Sequence, residues 1–556
     1  MKIQVSELIV RYLEKLGVDH IFGMPGAHIL PVYDSLYRSD IKSVLAKHEQ
    51  GASFMAGGFS RVTGQISACI TTAGPGATNL VTGIANAYAD KQPILVITGE
   101  TSTHIFGRGG LQESSGEGGS IDQNALFQGI SSYHKVVERS DYLVNVLNRA
   151  SSVLLSDTPG PVVLSFPFNV QKELVDESLL DLVKTSRSDK SIGDTSAPIT
   201  ALADLIIEAH NPVIVAGFGC IQAGAQHVLA QLSENMNIPV TSSLKGKGVI
   251  SEQSALSLGS LGVTSTGYAY RYIVDNADAI IFLGASFNER TSYLWDKKLL
   301  EGKKIAQVDS NPDQLEKVFR ADVAVQGDIK AVLSSVSENL NARTADRNSL
   351  RKHIVANDPV AVRDAGSAKI FQQGFALVES FFKHLEKRFD VGLTVFDDNV
   401  IFAQNFFNVS SGNRYYPNSG ISSLGHAIPA AIGARFAQHR PTLAIIGDGG
   451  FQMCCMELMT AVNYDLPITV VMFNNASMGL IRKNQAQGYE KRFINCDFIN
   501  PDYALLAKSF GMSFEHVETE ADLDRVFETV DFIEGSNLIE IMIDKDAFPN
   551  YSSGRS

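Results

Sequence analysis

The stretch Leu443–Met478, LAIIGDGGFQMCCMELMTAVNYDLPITVVMFNNASM, decides how this chain is read. It opens on a short apolar run, Leu443 to Ile446, closed by a Gly-rich turn, which is the pattern of a buried parallel strand. The turn is Gly447-Asp448-Gly449-Gly450, and its glycines let the backbone bend tightly and approach a ligand. A helical stretch follows, with Met453, Met456, Leu458, Met459 and Val462 largely on one side. A second buried strand, Ile468 to Phe473, ends in Asn474-Asn475. The unit is strand–helix–strand, with a carboxylate closing the first strand and an amide closing the second. Ligands of open parallel sheets sit at the carboxyl ends of strands. Asp448, the Asn475 oxygen, a backbone carbonyl and phosphate oxygens together make an all-oxygen set suited to Mg2+.

Working outward, 556 residues are enough for three or four domains. A 44% hydrophobic content is that of an ordinary globular chain, and a formal net charge of −13 argues against general nucleic-acid or anionic-membrane binding. Five scattered cysteines, Cys69, Cys220, Cys454, Cys455 and Cys496, fit reduced thiols in a cytoplasmic protein better than a disulfide framework. The N-terminal MKIQVSELIVRYLEKLG reads as an amphipathic helix and not as a signal or transit peptide. No apolar run is long enough to span a membrane.

Residues 1–175 alternate strand and helix in the βαβ manner, so their sheet should be parallel. Within them, HEQGASFMAGGFSRVTG places Glu49 between an apolar stretch and a helix rich in small residues. TTAGPGATNLVTGIANAYADKQPILVITGE gives strand, Gly-Pro-Gly turn, helix and strand. These blocks, with GDG and NN separated so that Asp448 and Asn475 stand 27 positions apart, resemble the thiamine-diphosphate (ThDP) enzymes, and in particular their acetolactate synthase branch. The resemblance runs over essentially the whole chain. It implies three doubly wound parallel-sheet α/β domains: a ThDP-binding pyrimidine domain (1–175), a Rossmann-like middle domain (190–345) and a ThDP-binding diphosphate domain (360–556).

The resemblance also assigns roles. ThDP works through the carbon nucleophile at its C2 position. Glu49, hydrogen-bonded to the pyrimidine ring nitrogen, would favour the tautomer that takes the C2 proton. In the family this glutamate reaches the cofactor of the other subunit, which implies a homodimer or homotetramer. Gly26, Pro75 and Asn79 lie in the matching cofactor loops. Asp448, Asn475 and the Ser477 carbonyl would hold Mg2+. Gly447, Gly449, Gly450 and Met478 would present backbone to the diphosphate, with Asn399 beside the cofactor. Leu424 would enforce its bent shape. Ile481 and Gln485 would line the substrate pocket.

Several positions depart from the pattern. His28, in PGAHILPVYDSL, replaces a small or aliphatic residue. GAHI also resembles benzaldehyde lyase, whose histidine at this place assists proton transfer, a role that suits imidazole. In the 103–135 segment, Ser114 to Ser120 reads as an insertion of Ser/Gly/Glu-rich surface loop, which leaves both Gln112 and Gln123 as candidates for the glutamine near the reacting centre. GASFNERTSYLW differs from the flavin-binding synthases and is closer to flavin-free catabolic ones, so FAD in the middle domain is the lesser alternative, and Trp295 reads as core. Lys483, Asn484 and Gln485 stand where the synthases carry a tryptophan. Lys172–Ala197 and Asn341–Ala368 read as connectors, and the C-terminal AFPNYSSGRS as mobile or folded over the site entrance.

The expected function is ThDP- and Mg2+-dependent decarboxylation of a 2-oxo acid such as pyruvate, followed by carboligation to a second carbonyl. A benzaldehyde-lyase-like carboligase or decarboxylase of larger substrates is the first alternative. A non-catalytic, ThDP-binding regulatory protein is the second.

Overall fold

The computed structural model describes residues 1–186, 196–343 and 358–551. Each of the three domains is built on a six-stranded parallel sheet flanked by helices. The first comprises β1 (His20–Gly23), β2 (Lys42–Leu45), β3 (Ser67–Thr71), β4 (Ile94–Glu100), β5 (Tyr133–Val136) and β6 (Val162–Pro167), in the order β2-β1-β3-β4-β6-β5. The middle sheet comprises β7 (Pro212–Ala216), β8 (Val240–Ser242), β9 (Ser257–Ser260), β10 (Ala279–Leu283), β11 (Lys304–Asp309) and β12 (Val323–Gln326), in the order β9-β8-β7-β10-β11-β12. The last comprises β13 (Thr394–Asp397), β14 (Arg414–Pro417), β15 (Thr442–Gly447), β16 (Thr469–Asn474), β17 (Ser513–Val517) and β18 (Asn537–Met542), in the order β14-β13-β15-β16-β18-β17.

The first and last sheets share one strand order, although no duplication is visible in the residues themselves. The middle sheet has the Rossmann order. Central strands such as β4, β7 and β15 are apolar almost throughout, because helices cover both faces. In the outer domains the order reverses beside the first strand of the sheet. A crevice therefore opens between β1 and β3, and another between β13 and β15.

Helix α1 (Glu49–Thr63) of the first domain packs along α3 (Ala427–Ala437) of the last, and α2 (Pro75–Asn79) lies beside α1. The small residues of α1 serve this contact. A Cβ added at Gly58 would lie 1.9 Å from the Ala430 carbonyl oxygen, and one at Gly433 would lie 1.9 Å from that of Met55. Only glycine lets the two backbones approach so closely.

Three expectations change here. The connector from Lys172 carries a strand, Leu174–Asp176, that pairs antiparallel with Lys2–Gln4; residues 187–195 lie outside the described residues. The second connector ends in a helix, Pro359–Phe371, capped by Asp358; residues 344–357 lie outside the described residues. Trp295 is not core. It is 52% exposed, because Tyr293, Leu294 and Trp295 all take positive φ and the left-handed turn carries the indole outward.

Candidate active site

The Leu443–Met478 unit forms as its residues dictate. Strand β15 ends at Gly447, and α4 (Asp448–Cys454) starts at once with Gly447 as N-cap. The N–H groups of its first turn have no intrahelical acceptor and mark a place for an anion. In front of it, between the ends of β13 and β15, lies a cavity of about 360 Å3. Gly447, Asp448, Gly449, Gly450, Asn475, Ser477 and Met478 line it, together with Asn399, Leu424 and Ile481. The long helix expected here is broken: α4 gives way to a 3-10 turn, Cys455–Glu457, and then to Leu458–Asn463. Leu458 is buried, whereas Met453 and Met456 are 61% and 57% exposed.

The donor set fits a hard cation. Asp448 is buried and accepts hydrogen bonds from the Gly449 N–H (3.0 Å) and the Asn500 amide (2.9 Å). Burial pushes its carboxyl up, and a bound cation would keep it charged. Asn475 turns its Oδ1 to the Ser477 N–H at 3.1 Å, and the buried Ser477 hydroxyl has no hydrogen-bond partner among the described residues. Among the described residues no group of three or more His, Cys, Asp or Glu could hold a metal. A cation here needs amide, carbonyl and phosphate oxygens as well as Asp448. Two of the cradle glycines have no room for a side chain. A Cβ at Gly449 would sit 2.7 Å from the Met478 sulfur, and one at Gly450 2.6 Å from Asp398 Oδ2.

Two positions behave otherwise than expected. The Met478 N–H is already taken by the Cys496 carbonyl at 2.7 Å, so Met478 offers its side chain to the cavity and not its amide. Gln485 faces away: its amide exchanges two 3.0 Å hydrogen bonds with the backbone of Ile494. Lys483 is also withdrawn. Its Nζ donates to the Tyr551 carbonyl at 2.8 Å and lies over the Tyr551 ring. This holds the C-terminal segment in place through Tyr551, and Ala547 and Pro549 of that segment wall the cavity; the final SSGRS lies outside the described residues.

The other candidates gather at the first domain's crevice. Glu49 opens α1, and the Asn79 amide donates to its Oε2 at 2.9 Å. Gly26 leaves room for Thr72, whose hydroxyl accepts from the His28 N–H at 3.3 Å. Gln112 Oε1 accepts from His28 Nδ1 and from the Thr72 hydroxyl, both at 3.3 Å. Pro75 is exposed at the start of α2. Gln123 is fully buried, donating to Thr98 (2.9 Å) and Ser165 (2.8 Å) inside the sheet. Of the two glutamines, Gln112 is the one beside His28.

Three contributors had no motif to betray them. Glu457 accepts the N–H groups of Lys47 and His48 and so fixes the approach to Glu49. Asn500 bridges Asp448 and Asn474. Asp398 accepts three N–H groups, from Gly425, His426 and Ala427, and anchors the turn after Leu424. Only its place at the end of an apolar strand could have flagged it.

Its neighbour Asp397 gives a pH prediction. Burial pushes the Asp397 carboxyl up to about 7, although Tyr415 and the Val400 N–H donate to it. An unfolded aspartate titrates near ~3.9. The folded value is the higher one, so the group's stabilising contribution is whole below about pH 4 and is lost as pH rises through about 7. Urea midpoints of the parent should therefore fall, relative to Asp397→Asn, between about pH 4 and 7. A constant difference over that range would count against it.

Family models match in three blocks: the N-terminal TPP binding domain of thiamine pyrophosphate enzymes over residues 3–124, their central domain over 199–336, and their C-terminal TPP binding domain over 398–541. The chain belongs to the thiamine pyrophosphate enzymes. Relatives span it almost end to end. A probable acetolactate synthase large subunit of Methanocaldococcus jannaschii is 31% identical, covering 99% of this chain and 93% of its own length. An acetolactate synthase of Arthrospira platensis is 31% identical over 98% and 95%. The acetolactate synthase isozyme 2 large subunit of Escherichia coli is 29% identical over 97% and 95%. The two crevices of this thiamine pyrophosphate enzyme thus fall in its two TPP-binding domains, with Glu49 in the first and Asp448 and Asn475 in the second.

Proposed function

We propose that this ThDP-dependent enzyme decarboxylates a 2-oxo acid, pyruvate in the first instance, and joins the remaining fragment to a second carbonyl compound. The observation that carries the reading is the pairing of an intact Glu49–Asn79 contact with an oxygen-donor cradle at Asp448, Asn475 and Ser477. Full-length similarity to acetolactate synthases supports the substrate class, and neither the lyase nor the regulatory alternative is favoured by it.

ThDP, when bound, supplies a nucleophilic carbon and takes up the electron pair released on decarboxylation. The chain's own residues do the rest. Asp448, the Asn475 amide oxygen and the Ser477 carbonyl would hold Mg2+, and the start of α4 would receive the diphosphate. Leu424 would support the cofactor from below. Glu49 would hold a proton at the pyrimidine ring nitrogen. His28 would exchange a proton with the substrate oxygen, and the Gln112 amide would hold the imidazole in place by accepting its Nδ1–H. Phe375, Phe402 and Ile481 would keep water from the reacting carbon.

Among the described residues, none of the first domain lines the Asp448 cavity. Exposed apolar side chains flank both crevices: Leu30 and Leu111 near His28 and Gln112, Met453 and Met456 beyond Asp448. These features support a dimer in which each crevice closes on its partner's complementary one. The five cysteines are free, which supports the cytoplasm. The middle domain borders a second cavity of about 380 Å3, lined by hydroxyls with Lys245 and Arg290. The proposed reaction is redox-neutral, so it gives a flavin there no electron to carry, and the visible spectrum of the purified protein tests for one.

The deciding experiment supplies ThDP, Mg2+ and pyruvate and follows CO2 and product mass. A 2-hydroxy-3-oxo acid is expected. Unconsumed pyruvate, with ThDP still raising the melting temperature, would overturn pyruvate as donor.

A further inference from the structure

The inserted segment after Gln112 is folded against the first domain and not hung from it. Glu113 is buried, and its carboxylate accepts the N–H groups of Gly107, Gly109 and Gly110 and the hydroxyl of Ser115. Ser114 is buried too and bonded on three sides. Its N–H donates to Glu100 Oε1 at 3.1 Å, its hydroxyl donates to the Gln112 carbonyl at 2.9 Å, and the same hydroxyl accepts the Gly74 N–H at 2.9 Å. Glu100 is itself fully buried at the end of β4. Between these anchors Gln112 holds a φ of +53°. A residue with a Cβ resists that conformation and keeps it only where its surroundings impose it.

We propose that Ser114 and Glu113 are positioning residues, which clamp Gln112 in its left-handed conformation so that its amide oxygen meets His28 and Thr72. Gly74 is where the clamp engages the cofactor side of the domain. It directly precedes α2, which carries Asn79 and through it Glu49. The insertion thereby joins the loop bearing Gln112 to the one bearing Asn79. Without the Ser114 hydroxyl, the Gln112 carbonyl loses its donor and the Gly74 N–H its acceptor. Gln112 is then free to relax toward right-handed φ, which swings its amide away from His28.

This inference rests on the reading of Gln112 as the amide that orients His28 toward the substrate oxygen, and a mutant cycle separates the two. The full-length enzyme with ThDP and Mg2+ is assayed as Gln112→Ala, Ser114→Ala, Ser114→Thr and the Gln112→Ala/Ser114→Ala double variant. ThDP affinity and melting temperature are measured alongside. Misplacement of a reacting group predicts that Gln112→Ala and Ser114→Ala each lower kcat by about ten- to a hundredfold, with KM, ThDP affinity and melting temperature near parental. Ser114→Thr, which keeps the hydroxyl, recovers most of the loss. The double variant is no slower than Gln112→Ala alone, because Ser114 acts only through Gln112. Losses that multiply in the double variant overturn the clamp while leaving Gln112 in place, as does a parental kcat in Ser114→Ala. A silent Gln112→Ala overturns the reading of Gln112 and the clamp with it. Should Ser114→Ala fold poorly, Glu113→Gln runs the same cycle, since an amide nitrogen cannot accept the glycine N–H groups.

Discussion

Glu49→Gln is expected to lower kcat by about a hundred- to ten-thousandfold while leaving Mg2+-dependent ThDP binding intact. Glutamine keeps the shape of the side chain and can still accept from the Asn79 amide. It cannot hold a titratable proton against a ring nitrogen. Asp448→Ala should fail differently. It removes the carboxylate proposed to hold the metal, so ThDP and Mg2+ should no longer raise the melting temperature. The two lesions lie in different crevices, which makes a sharper experiment available. If each site is built from one subunit's Glu49 and the other's Asp448, a mixed dimer of the two variants has one site with both lesions and one with neither. Co-expressed with two affinity tags and purified through both, it should recover about half the parental activity. An inactive mixed dimer would show that Glu49 and Asp448 do not meet across subunits.

The sequence made the fold legible because parallel strands buried on both faces read as short apolar runs, and glycine turns mark their carboxyl ends. Asp448 and Asn475 could be proposed from their places at two strand ends and their separation, and Glu49 from the resemblance of the residues that flank it. What stayed hidden depended on contacts between distant segments. Nothing local to Glu457 says that it accepts the N–H groups of Lys47 and His48. The insertion left both Gln112 and Gln123 as candidates, and only the fold separates the buried one from the one beside His28. Trp295 looked like core because large aromatics usually are, but a run of positive φ overrode composition. Lys483 and Gln485 stand two apart on one helix and so point to different sides of it, and nothing in sequence shows that Tyr551 and Ile494 engage them.

Asp90→Ala is expected to destabilise the protein by about 3–5 kcal/mol, the largest stability loss we predict for one side chain. Asp90 is buried where the three domains meet. It accepts from Arg61 of the first domain and from Lys245 of the middle one, and Arg61 reaches on to the Pro417 carbonyl of the last at 3.1 Å. Removing the carboxylate leaves the buried Arg61 guanidinium without its partner and beside Lys245, which costs more than the pair contributes when intact. Lys245→Met should cost less, because Asp90 keeps Arg61. The chain's single tryptophan, Trp295, reports on the middle domain alone. In the parent, urea unfolding followed by its fluorescence should coincide with unfolding followed by circular dichroism. In Asp90→Ala the fluorescence transition should come first, as the middle domain parts from the others. Coincident curves with an unshifted midpoint would remove Asp90 from this role. The consequence extends to catalysis. A Cβ at Gly420 would lie 2.7 Å from Asp90 Oδ1, so the turn that leads to Leu424 rests directly on this carboxylate. Loosening it should weaken ThDP binding in a variant whose substitution touches neither crevice.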